Sequence, residues 1–118
     1  MCIPIFYFID SLLNRILSIN LIHEARGLDT FPLTRARFAK IQDTTSEKIL
    51  LKNFSEELTH VKAGVKWFKF LCERDSLDPA NVFHERFPTY YKGNIKDCNI
   101  QARRDAGMPD DWLEPFLQ

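Results

Sequence analysis

The sequence predicts an all-α fold, and three observations support this prediction. Apolar residues recur every three or four positions over long stretches, which is the spacing of an amphipathic helix. A helix-capping motif at Thr44–Glu47 precedes a long segment that contains no proline until Pro79. No stretch alternates apolar and polar residues well enough to predict a strand. With 118 residues the chain has room for one domain with a single core, residues 1–118.

The first helix is predicted from about Ile5 to Ala25, where apolar residues surround the segment almost completely. That pattern is typical of a helix packed on several sides. We expect Gly27 to end this helix, because glycine adopts the left-handed cap conformation at little cost, and Pro32 to prevent it from continuing. A short helix from about Leu33 to Ile41 is expected next.

The second long helix is predicted to begin at Thr44–Glu47, where a threonine oxygen and the Glu47 carboxylate form a capping box. We place it from about Thr45 to Arg74, roughly 45 Å at 1.5 Å per residue. The elements after it are predicted to be shorter. They are a helix around Ala80 to Phe87, a turn at Gly93, a helix from Asn99 to Ala106 stopped by Gly107, and a packed tail that carries Trp112 and Phe116.

The composition excludes several classes of protein. Sixteen Lys and Arg balance sixteen Asp and Glu, so charge gives no sign of a nucleic-acid-binding surface. The three cysteines form no Cys-x-x-Cys pair, which disfavours a disulfide framework or thiolate zinc site and favours a reducing, cytoplasmic location. Polar residues interrupt the apolar N-terminal stretch, so we do not expect it to span a bilayer. It shows neither the basic start nor the small-residue cleavage site of a signal peptide.

Glu57 is predicted to lie in the apolar seam of the second long helix, whereas the adjacent Glu56 belongs to the solvated face. Apolar or small residues fall within about 60° of Glu57 on a helical wheel. These are Leu50, Phe54, Val61, Gly64, Phe68 and Leu71. A buried carboxylate normally neutralises, pairs with a charge or binds a metal. His60 projects beside Glu57 one turn along, and a Glu-x-x-His pair can hold one cation from a single helix.

Glu24 closes a similar apolar stripe near the end of the first helix. The stripe consists of Leu13, Leu17 and Leu21. Two helices therefore each direct an acid inward, and Glu24, Glu57 and His60 are the candidate metal ligands. Two structural alternatives stay open at this point: Glu24 pairs with Arg26 or another arginine, and His60 is a hydrogen-bonded core histidine.

Three further groups of residues are expected to have no functional role. They are the surface pair His84-Glu85, the packing aromatics Trp67, Phe68 and Phe70, and a solvated basic face of Lys92, Lys96, Arg103 and Arg104.

Three blocks of sequence carry a family resemblance that covers nearly everything from Asp10 to Phe116. The blocks are His23-Glu24-Ala25-Arg26-Gly27-Leu28-Asp29; Glu57-Leu58-Thr59-His60-Val61 with Gly64 and Trp67-Phe68; and Asn99, Ala102-Arg103, Ala106-Gly107 and Trp112. Through them the chain resembles an uncharacterised family of ferritin-like proteins, domain of unknown function 455. It departs from the family pattern at Asp97-Cys98, where Pro-Phe is expected.

The resemblance implies a four-helix bundle in which each of two helix pairs supplies one Glu and one Glu-x-x-His, the di-iron carboxylate arrangement. It makes Glu24 the lone glutamate of the third helix, and Glu57 with His60 the motif of the fourth. The chain would then be a C-terminal half, a partial ferritin-like bundle of the last two bundle helices plus short C-terminal helices. The implied cofactor is iron, as one ion or two, or manganese. Two iron ions need about six protein ligands, and this chain offers three candidates.

Two functions follow as hypotheses. The first is half of a carboxylate and histidine metal-binding protein, a fragment of a di-iron oxidoreductase if it is active. A distant likeness to a ferritin-like tRNA hydroxylase offers tRNA as a substrate by analogy alone, and nucleic acid is otherwise not expected. The alternative is a non-enzymatic helical interaction module. Its partner would be a second copy in a homodimer, or the missing N-terminal half.

Overall fold

The computed structural model describes residues 11–92 and 95–117, and these residues form helices and connecting turns without a strand. The all-α prediction is therefore confirmed. The elements are α1 (Leu12–Arg15), the π-helix π1 (Ile16–Glu24), α2 (Ala25–Lys40), α3 (Thr44–Arg74), α4 (Pro79–Tyr90), α5 (Ile100–Asp105), α6 (Asp110–Leu113) and a 3₁₀ turn (Glu114–Phe116). The predicted start of the first helix near Ile5 and the predicted turn at Gly93 lie outside the described residues.

The first long helix runs without a break through α1, π1 and α2, so the prediction that Gly27 ends it was wrong. The predicted short helix from Leu33 to Ile41 is the end of α2. Pro32 has no N–H to donate to the carbonyl of Leu28, a loss that normally breaks a helix. The side-chain amide of Asn99 donates to that carbonyl at 3.0 Å instead. The helix passes through Pro32 because a distant residue replaces the missing bond.

The start of α3 was predicted to within one residue, but its capping residue was not. Asp43 is the N-cap, and its carboxylate accepts from the backbone N–H of Ser46 at 3.0 Å and from the Ser46 hydroxyl at 2.7 Å. Glu47 does not close a capping box. Its Oε1 accepts from Nε of Arg35 at 3.2 Å, so it ties α3 to α2.

The first long helix and α3 form an antiparallel pair joined by a short turn at residues 41–43. Asn20 lies against Gly64, and Gly27 lies against Glu57. Arg35 bonds Glu47 further along the same pair. Residue numbers fall on one helix as they rise on the other, which fixes the opposite directions. This register brings Glu24 level with the middle of α3.

The C-terminal helices complete the core around Trp112, as the packed-tail prediction stated. Trp112 is buried; its ring stacks on Phe83 at 5.2 Å and meets the edge of Phe68 at 5.3 Å. Helix α4 is three residues longer at its C-terminal end than the predicted 80–87. Helix α5 agrees with its prediction, with Asn99 as N-cap and Gly107 in the left-handed region at φ +91°.

The aromatic run on α3 divides between core and surface. Phe68 is fully buried, whereas Trp67 is 50% exposed and Phe70 is 53% exposed. Phe68 therefore packs in the core, whereas Trp67 and Phe70 pack edge to face on each other at 5.6 Å on the surface. Among the described residues, no helix combines the length and apolar character needed to cross a membrane.

Candidate metal centre

The structure brings together all three residues that the sequence singled out as ligands. Glu24 is the last residue of π1, and Glu57 and His60 lie one turn apart in the middle of α3. One ligand atom from each of the three lies within 4.8 Å of the other two. Both glutamates are half-buried and His60 is exposed, so the cluster has an inner, acidic side and an outer, open side.

One carboxylate oxygen of Glu57, Oε1, is buried and has no hydrogen-bond partner in the described chain. The side chain as a whole is half-buried, not fully buried as predicted, and Glu56 beside it is exposed as predicted. Gly27 faces Glu57 across the helix pair, where an added Cβ would lie 3.5 Å from the Glu57 Cγ. A buried carboxylate oxygen without a donor is costly, so this atom points to a missing partner.

Glu24 is held from its own helix. Its Oε2 accepts a hydrogen bond from Nδ2 of Asn20, one turn earlier, at 3.1 Å. Burial raises the pKa of the Glu24 carboxyl, and the negative charge of Glu57 raises it further. The His60 ring and the Asn20 hydrogen bond oppose this rise, but the net direction is upward. The charge of Glu57 therefore disfavours the charged form of Glu24, which is the electrostatic condition that a cation relieves.

The first structural alternative, a salt bridge from Glu24 to Arg26, is not what the structure contains. Nη1 of Arg26 bonds Oδ2 of Asp29 at 2.6 Å and the carbonyl of Lys96 at 3.3 Å. Within residues 11–92 and 95–117, no ion pair includes Glu24 or Glu57. The second alternative, a core histidine, is also excluded because His60 is exposed.

The donor set suits a first-row transition metal. Carboxylate and imidazole ligands together are typical of iron, manganese and zinc sites, with bonds of about 2.0 to 2.2 Å. Two ligands of one such ion lie about 3 to 4 Å apart. Small side-chain rotations would therefore bring the ligand atoms, which lie within 4.8 Å of one another, to that separation. A bound ion would also give the buried Oε1 of Glu57 a partner, so the residues present fit a metal ion.

Two of the groups assigned no role are structural in a way that the sequence did not predict. Arg103 was placed on a solvated face but is fully buried, and its guanidinium bonds both carboxylate oxygens of Asp29, at 3.0 and 2.8 Å. Its basic neighbours Lys92, Lys96 and Arg104 are exposed as expected. A ring nitrogen of His84 lies 2.7 Å from the carbonyl of Asp111, so this half-buried histidine links α4 to α6.

Asn20 was not predicted to belong to the site, yet among the described residues it is the only side chain that donates a hydrogen bond to either acid of the cluster. The sequence does contain a pattern that could have identified Asn20, because it is an amide in an apolar stretch, four positions before a glutamate. It was interpreted only as an interruption of that stretch. What the sequence could not give is the partner helix that Asn20 contacts.

Comparison with known proteins places the chain in a family. The model of a family described as protein of unknown function (DUF455) matches residues 7–114. An uncharacterised protein of Haemophilus influenzae is 33% identical over 97 residues, which cover 76% of this chain and 33% of the relative. The chain thus spans about a third of the length of the curated relative it matches. No solved structure matches it significantly.

Proposed function

The chain belongs to the DUF455 family, and we propose that it binds a transition-metal ion, iron or manganese, through Glu24, Glu57 and His60. In this proposal the two carboxylates and the imidazole are the ligands that this chain supplies to a ferritin-like metal site. Three protein ligands leave further positions on the ion for water or for ligands from another polypeptide.

The observation that carries the proposal is the pair of half-buried acids with no cation beside them. The described chain places no Lys or Arg in an ion pair with either acid, and one oxygen of Glu57 is buried without a donor. A structural role for two adjacent acids would need a counter-charge, because burial and the neighbouring charge of Glu57 both disfavour the ionised form of Glu24. A divalent ion supplies that counter-charge at the one place where all three ligands converge.

The chemistry that such an ion supplies, when bound, is one-electron redox chemistry, which is the basis for proposing a metal-dependent oxidoreductase or part of one. The chain's own residues contribute binding and orientation. Glu24 and Glu57 bring negative charge from two different helices, and His60 adds a neutral nitrogen ligand on the open side. Because His60 is exposed, the open side is also where an exogenous ligand can reach the site.

The test is a Mn²⁺ titration of the full chain followed by electron paramagnetic resonance, in which the signal of free Mn²⁺ disappears on binding. We expect Glu57→Ala to abolish binding and to cost little stability, because removing an unpaired half-buried acid relieves its desolvation. Glu56→Ala is the matched control, since Glu56 is the exposed neighbour, and it should leave binding unchanged. If Glu57→Ala unfolds the protein and the wild type binds no metal, Glu57 is a structural residue and the proposal is wrong.

A second candidate function is a helical interaction module, and exposed apolar side chains on both long helices favour it. Ile49, Trp67 and Phe70 on α3 and Leu12 and Ile19 on the first long helix are each at least 45% exposed. On α3 these residues and His60 share one face by helical spacing. The two functions are compatible, because a partner helix on this face would lie against the open side of the metal site.

A further inference from the structure

We propose that Asn20 is a positioning residue of the metal site, which orients the Glu24 carboxylate and locks the first long helix against α3 at Gly64. This inference rests on the proposed function, because the property that Asn20 is expected to control is metal affinity. It goes further than that function in assigning a role to a residue that is not itself a ligand.

The hydrogen bonds of Asn20 join the two halves of the site. Nδ2 donates to Oε2 of Glu24 at 3.1 Å, within the first long helix. The same nitrogen lies 3.5 Å from the backbone carbonyl of His60 on α3, a longer and weaker contact. A side-chain amide carries two N–H groups, so one Asn20 nitrogen can serve both acceptors. Asn20 therefore links one ligand directly to the backbone of another.

Gly64 is what allows Asn20 to reach this position. A Cβ at residue 64 would overlap the Cβ of Asn20, and it would lie 3.1 Å from the Asn20 Cγ and 3.4 Å from Nδ2. Residue 64 is buried in the interior of α3, where it has an ordinary helical conformation. The glycine is therefore required by the close approach of the two helices and not by its backbone angles. The contact fixes how near the two acidic side chains come.

The π-helical backbone around Asn20 also supports a role for this residue in the metal site. Asn20 and Glu24 both lie in π1, which ends at Glu24. π-Helical turns are rare and are concentrated at functional sites. The Asn20 bond engages Oε2 of Glu24, and a carboxylate that accepts one such bond retains lone pairs for a cation. Residues that hold a metal ligand in this way typically change metal affinity by about 10- to 100-fold when removed.

The experiment compares the Mn²⁺ affinity of the wild-type chain with that of the Asn20→Leu and Asn20→Ala variants. Leucine has nearly the shape of asparagine but donates no hydrogen bond, so it keeps the packing against Gly64 and removes the interaction with Glu24. We expect both variants to bind Mn²⁺ about 10-fold more weakly. Asn53→Ala, at an exposed asparagine of α3, is the control and should bind as the wild type does.

A second readout separates positioning from folding. The urea unfolding midpoint without metal should change little in Asn20→Leu, while the metal-dependent rise in that midpoint should shrink. Unchanged Mn²⁺ affinity in both Asn20 variants, with a wild type that binds, overturns this inference and leaves the proposed function standing. A wild type that binds no Mn²⁺ overturns both.

Discussion

Glu56 and Glu57 are adjacent on α3, but one is exposed and the other is half-buried. A helix turns by about 100° per residue, so Glu56 faces solvent while Glu57 turns toward the first long helix. That difference follows from sequence spacing alone and was predicted. The roles of Asn20 and Gly64 were not predictable in this way, because they depend on which residues meet where two helices cross.

Two glycines at the helix crossing should respond oppositely to alanine. Gly64→Ala places a Cβ into Asn20, and overpacking of this kind typically costs about 1 to 3 kcal/mol. In Gly27→Ala the added Cβ lies at an ordinary contact distance, 3.5 Å, from the Glu57 Cγ. The higher helix propensity of alanine should therefore raise the free energy of unfolding by about 0.5 to 1 kcal/mol. Urea unfolding of the two variants measures both values. Equal effects of the two substitutions would show that the crossing is not as close as described.

At the scale of elements, a network centred on Asp29 attaches the C-terminal segment to α2. Arg103 and Arg26 bond the Asp29 carboxylate, and the backbone N–H of Asn99 donates to it at 2.8 Å. Asn99 is also the N-cap of α5, and its side-chain amide donates to the Leu28 carbonyl, which Pro32 leaves without a helical donor. The prediction that Pro32 prevents the helix from continuing failed for this reason. It considered only the local loss of a hydrogen bond, and Asn99, 71 positions after Leu28, supplies a replacement.

Removing the acid of this network should destabilise the protein in a pH-dependent way. Burial alone raises the pKa of Asp29, but its bonds to Arg103, Asn99 and Arg26 outweigh burial, and the net pKa lies below the ordinary value of 3.8. A lowered native pKa stabilises the fold above pH 3.8, and this stabilisation is lost as pH falls through the native value. Asp29→Asn should therefore cost about 3 to 5 kcal/mol near neutral pH.

The measurement is the free energy of unfolding in urea for wild type and Asp29→Asn across a pH series. The difference between the two should be constant above pH 3.8 and should shrink below it. Asp110→Asn removes the acid of the exposed Arg104 pair and should cost less than about 1 kcal/mol at any pH. A difference that grows on acidification would contradict the assigned direction of the Asp29 pKa.

At the scale of the whole molecule, apolar surface remains uncovered beside the candidate site. A 31-residue helix such as α3 usually buries one face and exposes a polar one. Here α3 buries a face with Val61 and Phe68, and it also exposes Ile49, Trp67 and Phe70. Uncovered apolar surface was expected for half of a bundle, but the residues that form this face were not predicted, because a large residue within a helical pattern does not reveal whether anything covers it.

We predict that the isolated chain self-associates through this face, since exposed apolar patches of this kind promote association. Light scattering at micromolar concentration should report a mass above that of the monomer. Substituting Trp67→Lys together with Phe70→Lys should shift the mass toward the monomer, while Lys62→Ala on the solvated face should not. A stable, well-folded wild-type monomer would contradict the prediction.

Anomalous X-ray diffraction from crystals of the chain grown with Co²⁺ would show directly whether Glu24, Glu57 and His60 hold one metal ion. Cobalt accepts the same carboxylate and imidazole ligands as iron and manganese. If these residues hold one ion, we expect an anomalous peak about 2.0 to 2.2 Å from an oxygen of each glutamate and from a nitrogen of His60. The contradicting result is a cluster with no peak, in which the buried oxygen of Glu57 is hydrogen-bonded to water or to a basic side chain.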